Sequence, residues 1–174
     1  CEIPGPSGDL DGCDTHTSED IGWFAVESGT NLTAEISAGV WKEVTFQNSY
    51  SDPVVVGTTN THDGEAALTF DARNVTSSSA EMRLCESEGG DGCDSHTSER
   101  VGYLVVNASA AAEVSGIEAG TVSVGGGIDT PAQVGFGETF GESAVVLGNV
   151  QTTNGTQPVE TRVTGTGTGE FSVA

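Results

Sequence analysis

Two stretches of this sequence are versions of one unit, and one version is divided by the order of the chain. Asp11-Gly12-Cys13-Asp14-Thr15-His16-Thr17-Ser18-Glu19 recurs as Asp91-Gly92-Cys93-Asp94-Ser95-His96-Thr97-Ser98-Glu99. Ile21-Gly22-Trp23-Phe24-Ala25-Val26 recurs as Val101-Gly102-Tyr103-Leu104-Val105-Val106. Farther along, Val44-Thr45-Phe46-Gln47-Asn48-Ser49-Tyr50 corresponds to Val134-Gly135-Phe136-Gly137-Glu138-Thr139-Phe140, and Pro53–Gly57 corresponds to Ala144–Gly148. The closing residues Gly169–Ala174 have the layout of Ser79–Leu84, which runs into Cys85, and Cys1 reads as the continuation. The chain therefore divides into a complete repeat over 30–107 and a split repeat. The split repeat begins over 108–174 and closes with a hairpin over 1–29. Each copy must build the same structure, so the repeat constrains the fold more than any local pattern does. A part-domain cannot bury its own core, so we expect Ile21–Val26 to complete the second copy as a donated strand.

Charge narrows the partners. Five Lys and Arg face 26 Asp and Glu, for a formal net charge of −21. Such a surface repels nucleic acid phosphates and anionic membranes. Two settings fit: a high-salt habitat that screens the self-repulsion, or a calcium-loaded surface. The near-absence of Lys (Lys42 alone), with abundant Gly, Thr, Ser, Ala and Val, favours high salt. Regular apolar patterning argues against disorder.

The four cysteines sit at matching places, Cys1 and Cys13 in one copy, Cys85 and Cys93 in the other. Each pair brackets a Gly/Asp-rich loop between apolar strands. We expect two disulfides and an oxidising, extracellular or cell-surface setting. The alternative is a metal site using Cys13-x-x-His16 and Cys93-x-x-His96, with three ligands per copy where closed zinc sites want four. No apolar run approaches the roughly 20 residues of a membrane helix, so no membrane insertion is expected, and no leader is recognisable, as in a mature sequence. Asn31, Asn74, Asn107 and Asn154 begin N-x-Ser/Thr sequons and are candidate glycosylation sites.

Strand signals dominate. Glu43–Phe46 alternates, Pro53–Gly57 is a short apolar run, Ala66–Arg73 and Ser79–Leu84 flank a turn at Asn74–Ser78, and Arg100–Val106 is apolar. Asp63-Gly64 and Asn154-Gly155 read as hairpin turns. Twenty-five Gly and the lack of sustained helical periodicity give an all-β fold. Asn107–Glu113 reads as a linker, and Thr164–Gly169 as a long turn or edge.

Val44-x-Phe46-x-x-x-Tyr50-x-x-Pro53-Val-Val-Val, then Arg73-Asn74-Val75-Thr76, then Val101–Val106, resembles the H-type lectin domain. It is closer still to the bacterial and archaeal surface repeats that share the pattern and carry Asp-Gly-x-x-x-His-Thr-x-Glu before the last strand. The resemblance spans nearly all of each repeat. It implies six-stranded antiparallel β-sandwiches, two per chain, and sugar binding at subunit edges in the lectin members. No sugar-contacting residue transfers to this chain, and the cysteine pairs lie outside the pattern.

The Asp-Gly-Cys-Asp-x-His-Thr-Ser-Glu element has two readings. In the structural one, His and Glu tie the loop to the strand, and Thr17 or Thr97 caps the turn. In the other, Asp9, Asp11 and Asp14 hold calcium, since alternating oxygen ligands suit a hard cation. No nucleophile elbow or paired-carboxylate cleft is present, so we expect no enzyme. Trp41 is a candidate sugar platform, with core packing as its alternative.

A copy lacking its last strand exposes an edge and apolar interior. The vacancy is filled by strand donation from a neighbouring copy, by tandem continuation through peptide bonds, or by the chain folding back on itself. The first two yield a filament or stalk of head-to-tail copies. We expect a structural subunit of that kind, with a carbohydrate-binding adhesin as the alternative.

Overall fold

The computed structural model describes residues 33–37, 39–61, 63, 68–86, 93, 97–108, 116–125, 130–152, 154 and 161–174. The expected closing hairpin 1–29 lies outside them, and with it Ile21–Val26, Cys1, Cys13, Asp9, Asp11 and Asp14; so does Asn31.

The described chain is all-β. Its strands are β1 Thr33–Ile36, β2 Lys42–Thr45, β3 Pro53–Thr59, β4 Leu68–Arg73, β5 Ser79–Glu86, β6 Glu99–Asn107, β7 Ala132–Gly135, β8 Val163–Thr166 and β9 Glu170–Val173. They form three antiparallel sheets, ordered β1-β6-β3, β2-β5-β4 and β7-β9-β8. Side chains alternate between the two faces of a strand. Ala80, Met82 and Leu84 of β5 therefore share a face, as do Val101, Tyr103 and Val105 of β6. These rows meet Ile36, Val44, Phe46, Val55, Phe70 and Ala72 in one cluster. The first two sheets thus face each other across a single core.

One local expectation is corrected. Asp63-Gly64 reads as a hairpin turn, yet β3 and β4 do not pair: β3 pairs with β6, and β4 with β5. The connection crosses from one sheet to the other. A turn dipeptide fixes the reversal of the chain, but the burial of apolar faces selects the partner strand. Val55 and Phe70 both enter the shared core from opposite sheets, which a hairpin would forbid. The Asn74–Ser78 reversal does join paired strands. Asn74 adopts φ 48°, and Thr76 Oγ1 accepts the Ser78 and Ser79 amide hydrogens at 3.3 and 3.0 Å.

The third sheet repeats the second. β7-β9-β8 has the order of β2-β5-β4. Phe46 N–H donates to Ser78 O at 2.7 Å, and Phe136 N–H donates to Gly169 O at 2.8 Å. Tyr50 N–H donates to Ser77 O, and Phe140 N–H to Thr168 O, both at 2.8 Å. The edge-to-face pair Phe46–Tyr50 recurs as Phe136–Phe140, with interplanar angles of 84° and 86°. The Thr164–Gly169 stretch supplies the end of β8 and the turn into β9, the place that Arg73–Ser78 takes in the first copy.

Candidate strand-acceptor site and the junction between copies

The sheet β1-β6-β3 has no described counterpart in the second copy. Its central strand is β6, whose sequence counterpart is Ile21–Val26. Ala144–Gly148 matches Pro53–Gly57 of β3 but joins no sheet among the described residues. Val145 is 63% exposed, whereas its counterpart Val54 is 7% exposed. Leu147, Val122 and Val124 are also exposed. Ala144 N–H bonds to Gly167 O at 3.2 Å and Thr161 Oγ1 donates to Gly148 O at 2.8 Å, which hold the segment beside the third sheet. An extended apolar segment with open main-chain groups is a template for another strand.

The next three residues do something different. Asn149 Oδ1 accepts the Gly57 N–H at 3.2 Å, Gln151 Oε1 accepts the Val55 N–H, and Val150 O accepts the Ala72 N–H at 2.9 Å. Val150 also bridges Asp71 in parallel fashion. β3 and β4 are edge strands of the two facing sheets, so this short segment closes the seam of the first copy with main-chain and amide oxygens. It fixes the second copy to the first and covers edge N–H groups that would otherwise pair elsewhere.

On the outer face of β2-β5-β4, charged residues alternate across the strands. Arg83 holds Asp71 through Nη2 at 3.0 Å, and Arg73 Nε meets Glu81 Oε2 at 2.6 Å. Both guanidiniums lie over the Trp41 ring, at 4.1 Å for Arg73 and 4.4 Å for Arg83. The ring that sequence offered as a sugar platform is thus engaged in cation–π contacts. A shallow groove of 420 Å3 beside it is lined by Glu35, Ser37, Val40, Trp41, Lys42 and Ser98. Its polar groups are already bonded: Ser37 to Ser98 at 2.7 Å, and Lys42 Nζ to Glu35 O at 2.7 Å.

Cys85 and Cys93 are disulfide-bonded, with Cα atoms 4.6 Å apart, as expected. Asp71 lies against them, 2% exposed, and its Oδ1 has no hydrogen-bond partner. Burial pushes the Asp71 carboxyl above its ordinary range, and the Arg83 hydrogen bond and charge oppose that. The Arg73 hydrogen bond holds Glu81 below its ordinary range.

Of the loop element, Cys93 and Thr97–Glu99 are described. Glu99 is fully buried, and its carboxylate accepts Thr61 Oγ1–H at 2.5 Å and Asp63 N–H at 2.7 Å. It ties the β3–β4 connection to the start of β6. His96 lies outside the described residues. Among the sequons, Asn154 is exposed, while Asn74 Nδ2 donates to Glu81 at 2.8 Å. Asn107 Oδ1 accepts the Ser51 and Asp52 amides at 2.8 and 3.2 Å, binding the end of β6 to the turn before β3.

Neither a model of a known family, nor a curated protein, nor a solved structure matches the chain. Among the described residues, no helix is long and apolar enough to cross a membrane.

Proposed function

We propose that this chain is a structural, non-enzymatic subunit of an extracellular filament or cell-surface stalk. In this reading, H-type-lectin-like sandwiches follow one another head to tail, joined by strand sharing or tandem repetition. The observation that carries it is the contrast between matched residues: Val54 is 7% exposed on a strand paired with β6, and Val145 is 63% exposed on a segment that pairs with no strand among the described residues. A vacancy on one unit and its complement on another make a heterologous contact. Such contacts propagate into open polymers wherever the rotation between units does not close a ring. Main-chain bonds supply the affinity of an added strand, and alternate side-chain pockets set its register.

The other features suit that role. The junction at Asn149–Gln151 keeps successive sandwiches in fixed relation. The Cys85–Cys93 bridge spans a sequence separation of 8, and closing so short a loop stabilises by about 2.5 kcal/mol in the chain-entropy account. The charge of −21 keeps a polymer soluble where salt screens it. Exposed sequons such as Asn154 are places for glycans on its surface.

Electron microscopy of the chain in molar salt tests the reading. Filaments with a repeat of two sandwiches are the expected result, and dispersed compact particles at all concentrations would sink it. Mass after reduction and denaturation then separates the two linkages. A single species at 17.6 kDa means strand sharing, and a ladder means covalent tandem repeats.

A further inference from the structure

We infer that the acceptor in the second copy is built for Ile21–Val26 of a second chain, in one register, with Trp23 covering Gly148. The inference rests on the strand-sharing form of the proposed function and adds the occupant and its alignment. In the first copy, β3 and β6 pair antiparallel with Val54 opposite Val106, Val55 opposite Val105, Val56 opposite Leu104 and Gly57 opposite Tyr103. The matched positions give Val145 opposite Val26, Val146 opposite Ala25, Leu147 opposite Phe24 and Gly148 opposite Trp23. A glycine faces a large aromatic in both copies.

The volumes around that glycine differ in a way that points to tryptophan. At Gly57 the Phe70 ring fills the side-chain space: a Cβ there would lie 2.7 Å from Phe70 Cζ. Residue 161 takes the place of Phe70, because Arg162 pairs with Ala174 as Asp71 pairs with Arg83. It is Thr161, whose Oγ1 is 3.9 Å from the same point at Gly148. The small residue leaves open the space that a phenyl ring fills in the first copy, space that becomes interior once a strand covers Gly148. Close-packed interiors do not keep such voids. Of the two aromatic residues at the glycine, Trp23 is the larger and Tyr103 the smaller, so the bulk is moved from the receiving face to the incoming strand.

The tether favours a second chain as donor. Asn149 lies off the β3 edge of its sheet, and β1 lies at the opposite edge. Within one chain, the segment would leave Thr33, cross β6 and β3 by about 10 Å, pass the junction side chains, and run about 13 Å farther to Val145. Six residues lie between Val26 and Thr33, and the seven steps span at most about 25 Å fully extended, so a tether within one chain would have to run taut along this whole path. A segment from another chain meets no such limit.

Cysteine trapping tests this. Chains carrying Ala25→Cys are mixed with chains carrying Val146→Cys, oxidised, and separated without reductant. Covalent dimers with a mapped 25–146 link are expected, and Phe24→Cys with Val146→Cys is expected to give none. The pair Val26→Cys with Val145→Cys repeats the test if the first variants fold poorly. Equal trapping of the offset pair overturns the register. A link formed within one chain of the double variant, with no dimers on mixing, overturns the second-chain donor. Filaments without any 25–146 or 26–145 link overturn the inference while leaving the filament reading intact. Links without filaments uphold the inference and overturn the filament.

Discussion

Two buried carboxylates carry opposite lessons. Glu99 is satisfied on both oxygens, and it anchors the start of β6 by holding the neighbouring connection through Thr61 and Asp63. Removing it leaves a part-buried hydroxyl and a main-chain N–H without that acceptor and opens a cavity at a fully buried site, together about 2–4 kcal/mol. Glu99→Ala is therefore expected to lower unfolding free energy by about 2–4 kcal/mol in urea titration, and Glu99→Gln by less. Asp71 is held on one oxygen only. Its folded-state pKa lies above the ordinary value of 3.8, so the folded state keeps its proton longer than the unfolded chain does. Stability from this group falls as pH rises from about 3.8 through the folded pKa, then levels off. Asp71→Asn removes that slope, so wild-type stability relative to the variant is expected to decline across this window. A constant difference would contradict the assignment. Glu81 has the reverse sign: lowered by Arg73, it contributes stability above its ordinary value that is lost as pH falls. Asp71 was not legible in the sequence. A carboxylate at an alternating position reads as solvent-facing, and it is buried beside the Cys85–Cys93 disulfide and under the Arg83 guanidinium.

At the scale of elements, the segment Asn149–Gln151 protects two sheet edges at once. Replacing Asn149 and Gln151 by Ala removes the acceptors of the Gly57 and Val55 amides. Hydrogen exchange at those two amides is expected to quicken, while amides bonded between β4 and β5 keep their rates. Unchanged exchange at Val55 and Gly57 would show that the junction does not form in solution. The strands over 42–107 were legible because alternation and short apolar runs directly reflect which faces are buried. β1 was not, since Thr-Ala-Glu-Ile carries only a faint alternation. Sheet membership was not legible either, and the Asp63-Gly64 turn misdirected it. Nor did any local motif announce the junction, which uses polar side chains on a segment whose counterpart in the first copy, after Gly57, continues β3.

At the scale of the whole molecule, the two copies are unequal. Among the described residues, the first has both sheets and a shared core, and the second has the sheet β7-β9-β8 with only Val173 deeply buried among its strand residues. The repeat in the sequence made this inequality readable, because the counterpart of β6 stands upstream of the complete copy. Val173 faces Ala132 as Met82 faces Lys42, so the strands pair in the same way, but Val173 takes the place of Met82 and the match of Gly169–Ala174 to Ser79–Leu84 is shifted by one residue. The proposed remedy is a strand from another chain. Sedimentation in molar salt over a range of protein concentrations tests that claim most directly. The account predicts a series of species at multiples of 17.6 kDa that lengthens with concentration. A single compact species at 17.6 kDa, unchanged by dilution or concentration, would contradict it.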